Sequence, residues 1–179
     1  NQQIKNHAIQ TAMEHAPTKK THTPAPKHGK RLLHIATASV ALVLFVGYLT
    51  YINMPSLSVK IASAQAGIAA SYPSYQPAGY TLAGPVAFND GQVTMRFNAT
   101  SNPQSFTLNQ SRSTWDSSAL LDNYVEQASG GQYETFQDSG LTIYTYGTDA
   151  AWVNGGILQT INGDATLSHD QVRHIATSM

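Results

Sequence analysis

From Leu32 to Ile52 the chain reads LLHIATASVALVLFVGYLTYI, apolar at most positions and free of Asp, Glu, Lys and Arg. A helix that is hydrophobic on every side has no polar face to turn to water. At about 1.5 Å per residue the run extends roughly 31 Å, the thickness of a bilayer's hydrocarbon core. The pattern predicts one transmembrane helix over residues 32–53, ended by Met54-Pro55. Beyond it the periodicity changes. Leu57, Ile61, Ala64 and Ile68 recur at helical spacing and predict a second helix over residues 56–70.

Alternation of period two then takes over. Leu82–Phe88 and Val93–Phe97 flank Asn89-Asp90-Gly91, which predicts a hairpin. Phe106 and Leu108 alternate with Thr107 and Asn109 in a third strand. Asp116 is placed to cap a helix, with Trp115 stapled to Leu120. Leu120, Leu121, Tyr124, Val125 and Ala128 form its apolar face, and Gly130-Gly131 ends it. Four further strands are predicted over Tyr133–Gln137, Leu141–Tyr146, Ala150–Asn154 and Ile157–Ile161, joined by Asp- and Gly-rich turns. A closing helix starts at Ser168, where Ser168 and Gln171 match a capping box. Its apolar stripe is Val172, Ile175, Ala176 and Met179. Hairpins interrupted by helices predict an α+β fold: an antiparallel sheet with helices on one face, preceded by one transmembrane helix.

Charge adds an orientation. Of the 179 residues only 11 % are charged, and the formal net charge is zero. The zero is a balance of halves. Six basic residues against Glu14 leave the first 31 residues at +5, and four basic against nine acidic residues leave the part after the span at −5. Lys27, Lys30 and Arg31 border one end of the apolar run, and Tyr48 and Tyr51 lie near the other. This is the positive-inside arrangement with an aromatic belt. Residues 1–31 are therefore expected to be a basic cytoplasmic tail, largely disordered after Pro17, with a short amphipathic helix over residues 3–15. Residues 54–179 are expected to form an extracytoplasmic domain. The partners expected are the lipid bilayer and an envelope ligand or protein; a weakly charged surface is a poor match to nucleic acid.

Candidate chemistry is sparse. The chain has no cysteine, which excludes disulfides and thiol chemistry. It contains no G-x-S-x-G elbow and no H-E-x-x-H motif, so no catalytic, cofactor-binding or metal-binding residue is assigned. His169 and His174 lie five apart on the closing helix and are expected on different faces, at the surface. Glu126 and Glu134 lack an obvious paired carboxylate. The feature with functional colour is the loop Tyr72-Pro73-Ser74-Tyr75-Gln76-Pro77-Ala78-Gly79-Tyr80, where prolines could hold Tyr72, Tyr75 and Tyr80 for contact with a ligand or partner. The alternative is that these tyrosines cover the edge of the sheet.

Three stretches together carry a resemblance: Tyr72-Pro73 through Tyr80 with Gly84-Pro85-Val86, the segment Ala151-Trp152-Val153-Asn154-Gly155-Gly156, and Leu167-Ser168 through Met179. In order and spacing they resemble the uncharacterised extracytoplasmic domain that follows the single span of bacterial anti-sigma-factor-type and sensor-like membrane proteins. The likeness covers roughly residues 57–179. It implies an α+β sensor or adaptor module without known catalytic residues. The expected function is a membrane-anchored, non-catalytic binding or sensor module. A structural or assembly factor of the cell envelope is the alternative, and an envelope hydrolase a third reading.

Overall fold

The computed structural model describes Gln10 and residues 28–179, with side chains over 39–48 and 54–179. Apart from Gln10, the expected tail helix over 3–15 lies outside the described residues. The chain divides into two compact units, Asn1–Val46 and Gly47–Met179. Helix α1, His28–Ala66, contributes to both. Among the described residues no helix is long and apolar enough to cross a membrane. Much of the expected span, residues 32–38 and 49–52, lies outside the described side chains.

Two expectations about this region are corrected. Pro55 does not end a helix: α1 runs through it without interruption. Proline removes one backbone donor and crowds the preceding turn, a local cost that a helix of 39 residues can absorb. Of the predicted stripe Leu57, Ile61, Ala64 and Ile68, Ile68 is buried but the other three are not. Val59, Ala62 and Ala66 are buried instead, while Leu57 and Ile61 remain 54 % and 52 % exposed. Small residues win the buried face because they let the helix axis approach the sheet closely. The helix stops where Gly67 takes φ +67°. The Ala66 and Gly67 carbonyls then accept from the Gly91 N–H at 2.9 Å and the Arg112 guanidinium at 2.5 Å.

Eight strands form one antiparallel sheet: β1 (Tyr80–Leu82), β2 (Ala87–Asn89), β3 (Gln92–Ala99), β4 (Ser105–Arg112), β5 (Glu134–Asp138), β6 (Leu141–Tyr146), β7 (Asp149–Asn154) and β8 (Ile157–Gly163). Their spatial order is β1-β3-β4-β8-β7-β6-β5, with β2 also paired to β3. The expected strand Leu82–Phe88 is therefore two short pieces. Gly84 at φ +71° followed by Pro85 separates them, since proline cannot donate to the ladder. The β7–β8 turn is as expected: Asn154 faces Ile157, and Gly155 and Gly156 both take positive φ, the geometry of a two-residue hairpin.

Helices lie on both faces of the sheet, not on one. On the first face Met95, Phe97, Phe106, Leu108, Ile143, Trp152 and Ile161 are buried under Val59 of α1 and under α4 (His169–Thr177). Phe97 and Phe106 stack there with centroids 4.7 Å apart. On the second face Tyr144, Tyr146 and Ala151 are covered by Leu120 and Val125. These belong to α2 (Ser117–Leu120), which leads through a π-helical turn, Leu121–Val125, into α3 (Glu126–Ser129). In a regular α-helix residues five apart sit about 140° apart around the axis. The wider π-turn brings Leu120 and Val125 to the same face and leaves Ala128, expected in the core, exposed. Consecutive β6 residues Ile143 to Tyr146 are all buried because both faces of that strand are covered.

Candidate functional site

The described surface holds a cleft of about 360 Å³ where β5 begins and β6 turns into β7. Its walls include Tyr133, Glu134, Thr145, Tyr146, Asp149 and His169. Three local features build it. The capping box at Ser168 is present, with the Gln171 N–H donating to Ser168 Oγ at 3.2 Å, and it fixes His169 in the first turn of α4. The register Glu134↔Thr145 sets those two residues side by side on the face under α4. The β6–β7 turn is anchored to Gly163: the Thr148 hydroxyl donates to its carbonyl at 2.6 Å, and its N–H donates to Asp149 Oδ1 at 3.3 Å.

His169 Nε2 lies 3.4 Å from Glu134 Oε2, and its ring stacks on Phe136 with centroids 5.9 Å apart. Both side chains of that pair are more than half exposed, so either can exchange its partner for a ligand at little desolvation cost. Next along the helix, Arg173 reaches Asp170 Oδ1 at 2.9 Å and Asp138 Oδ2 at 3.6 Å. Thr145 is only 8 % exposed, and its Oγ1 has no hydrogen-bond partner among the described residues. A buried polar atom without a partner costs about 1–3 kcal/mol, which a bound polar group could recover. Burial pushes the Tyr146 phenol far above its ordinary range, with the neighbouring Tyr124 phenol and the Asp149 carboxylate adding to the effect. It is a neutral hydroxyl at any physiological pH.

No hydroxyl donates to His169 among the described residues, so the pair does not extend into a nucleophile–base–orienter relay. Among the described residues no three His, Asp or Glu side chains converge as a metal would require.

The tyrosines expected to contact a partner are placed elsewhere. Tyr72, Tyr75 and Tyr80 are half-buried, packed against the main core, and none lines the cleft. Tyr72 lies against Phe97 at 6.2 Å, Tyr80 meets Phe106 edge-on at 5.3 Å, and Tyr75 lies 5.1 Å from the exposed His174 ring. Burial raises the Tyr72 hydroxyl above its usual pKa. The loop is held at its start by Gln110, whose Oε1 accepts from the Ser71 N–H at 2.9 Å and whose Nε2 donates to the Ser71 carbonyl at 2.6 Å. At its middle the Ser74 N–H donates to the Ser178 carbonyl at 3.2 Å. Sequence reasoning missed the cleft because its walls come from β5, β6, β7 and α4, distant in the chain. The one available signal was the capping box, which locates His169 but not its partner.

No protein-family model, curated protein or solved structure matches the chain.

Proposed function

We propose that this chain is a non-catalytic binding or sensor module held at a membrane by Leu32–Ile52, with residues 54–179 on the extracytoplasmic side and the ligand seated in the Glu134–His169 cleft. The anchor is supported by the uniformly apolar run, by the +5 and −5 balance around it, and by the side chains of Val40 to Val46, whose large apolar members are 52–69 % exposed. The observation that carries the binding reading is the partnerless Thr145 hydroxyl in the wall of a cleft that also offers Glu134, Asp149, Tyr133 and His169. Such a set presents donors, acceptors and an aromatic edge to a small polar ligand. It lacks an activated nucleophile.

A screen of small polar compounds against the full chain in bicelles tests this by amide chemical-shift mapping. Shifts should cluster on residues 132–134, 145–149 and 167–172, and Thr145→Val and Glu134→Gln should each remove them. Shifts that cluster elsewhere, or a turnover that Glu134→Gln abolishes in a folded protein, would overturn the reading. Protease added to intact cells should digest the domain and spare a tag on residue 1; a protected domain would reject the membrane placement. The assembly-factor reading is favoured by one observation, the exposed apolar stripe Met54, Leu57 and Ile61 on α1. Crosslinking from Leu57 to an envelope protein, with no ligand in the cleft, would favour it.

A further inference from the structure

The second face of the sheet is covered over β6 and β7, where α2 and the π-turn lie on Tyr144 and Ala151, and the cover reaches Leu158 and Thr160 of β8. Over β3 and β4 the same face carries a grid of polar side chains that solvent reaches, and it runs into the buried Thr160 of β8. The register aligns Thr94, Asn109 and Thr160 in one row across the strands, and Arg96, Thr107 and Asn162 in the next. Strands about 4.8 Å apart with same-face residues about 6.8 Å apart along each strand give this grid the scale of a sugar ring. It is ordered: the Thr94 hydroxyl donates to Asn109 Oδ1 at 2.8 Å, and Arg96 donates to Ser105 Oγ at 3.3 Å.

At the end of this face lies Trp115, expected to staple against Leu120 but 37 % exposed instead. It stands in a shallow depression of about 370 Å³ with Leu158, Ser113 and Arg112. Leu158 belongs to the grid face, opposite Ser111 of β4. The backbone at Trp115 is fixed, since its main-chain N–H donates to Ser113 Oγ at 3.1 Å and the next residue, Asp116, caps α2 by accepting from the Ala119 N–H at 2.8 Å. A partly exposed indole on a fixed backbone, beside ordered hydroxyl and amide groups, is a surface a ligand can reach.

We propose that Trp115 and the Thr94–Asn109 face form a binding surface for a neutral glycan. The indole takes the apolar face of a sugar ring, as aromatic rings do for flat amphipathic partners. The amides and hydroxyls of the grid pair with sugar hydroxyls, which are donors and acceptors of the same kind. Charge argues against the other macromolecules. A polyanion or an anionic bilayer requires a basic patch, whereas the part of the chain after the span carries −5 and the grid holds one cation, Arg96. A stable protein interface requires an apolar centre, and here only Trp115 and Leu158 would supply it. This surface is separate from the Glu134–His169 cleft, and its test does not depend on that reading.

The two tryptophans make the test direct. Trp152 is fully buried, so accessibility to acrylamide reports on Trp115. The full chain in phosphatidylcholine bicelles is titrated with chitotetraose and with cellotetraose, following indole fluorescence and acrylamide quenching. The expected result is a saturable fluorescence change with protection from quenching for at least one of them. Trp115→Ala should weaken binding at least tenfold, measured by calorimetry, and Asn109→Ala severalfold, both with unchanged melting temperature. Trp115→Phe should retain part of the affinity. No saturable response to either oligosaccharide at millimolar concentration would overturn the proposal. So would binding that Trp115→Ala leaves intact, or protection of Trp115 by heparin or phosphatidylglycerol bicelles in place of the sugars.

Discussion

Gln110 is a polar residue on the apolar side of β4, 1 % exposed, and it holds the start of the tyrosine loop by accepting from and donating to the backbone of Ser71. Replacing it with Met keeps the length and most of the volume but deletes both partners. The Ser71 N–H and carbonyl, part-buried beside the core, are then left unpaired. Each stranded group costs about 1–3 kcal/mol, so the pair should cost roughly 2–5 kcal/mol. Against a total of about 5–15 kcal/mol this is a large fraction. With an unfolding entropy near 2.1 cal/mol/K per residue over the folded domain, each kcal/mol lowers the melting temperature by about 4 °C, giving a fall of roughly 8–20 °C. The effect should also be local. Hydrogen exchange should rise most over residues 70–80, because Tyr72, Tyr75 and Tyr80 are set by this anchor and by the Ser74–Ser178 bond. Thermal unfolding and exchange mass spectrometry of Gln110→Met against the parent measure both. A melting temperature within about 2 °C of the parent, or unchanged exchange over 70–80, would show that the loop is held by its ring contacts and that the Gln110 bridge contributes little.

Three further outcomes are expected. Gly163 sits at φ +151°, and a methyl group there would collide with the Ser105 carbonyl; Gly163→Ala should cost at least about 3 kcal/mol by chemical denaturation and loosen the Thr148–Asp149 wall of the cleft. Truncating Ile175, 1 % exposed on α4, to Ala should cost about 2–5 kcal/mol, whereas Ser168→Ala, which removes the cap, should cost about 0.5–2 kcal/mol. Alkaline pH should destabilise the domain. Burial raises the pKa of Tyr144 and Tyr146 above 10, so the unfolded chain releases these protons first and stability falls as pH rises past 10; Tyr146, far the more strongly shifted, contributes up to about 1.4 kcal/mol per pH unit, and Tyr144 adds in the same direction. Tyr146→Phe should remove the larger part of that slope, and stability measured by denaturant should be flat in this respect below about pH 9.

Local chemistry was legible in the chain itself. The capping box at Ser168, the Asp116 cap, the Gly130 stop and the Gly155-Gly156 turn all formed where their residues stand, because each depends on interactions within about five positions. Period-two alternation placed β3 and β4, since a half-buried strand records its own orientation in its side chains, and turn residues bounding strand-forming runs placed β5 to β8. What tertiary packing decided was which surface each element meets. On α1, two apolar stripes compete, and the small one, Val59, Ala62 and Ala66, won because it permits a closer approach to the sheet than Leu57 and Ile61 would. The π-turn at Leu121–Val125, the second covered face and the exposure of Trp115 follow from fitting a helix over Tyr144 and Tyr146, a demand that acts across about twenty residues of chain. The Glu134–His169 pairing spans 35 positions and depends on α4 crossing β5 and β6. No period or motif encodes such a contact, since it exists only after the strands have ordered themselves β8-β7-β6-β5 and the closing helix has packed across them.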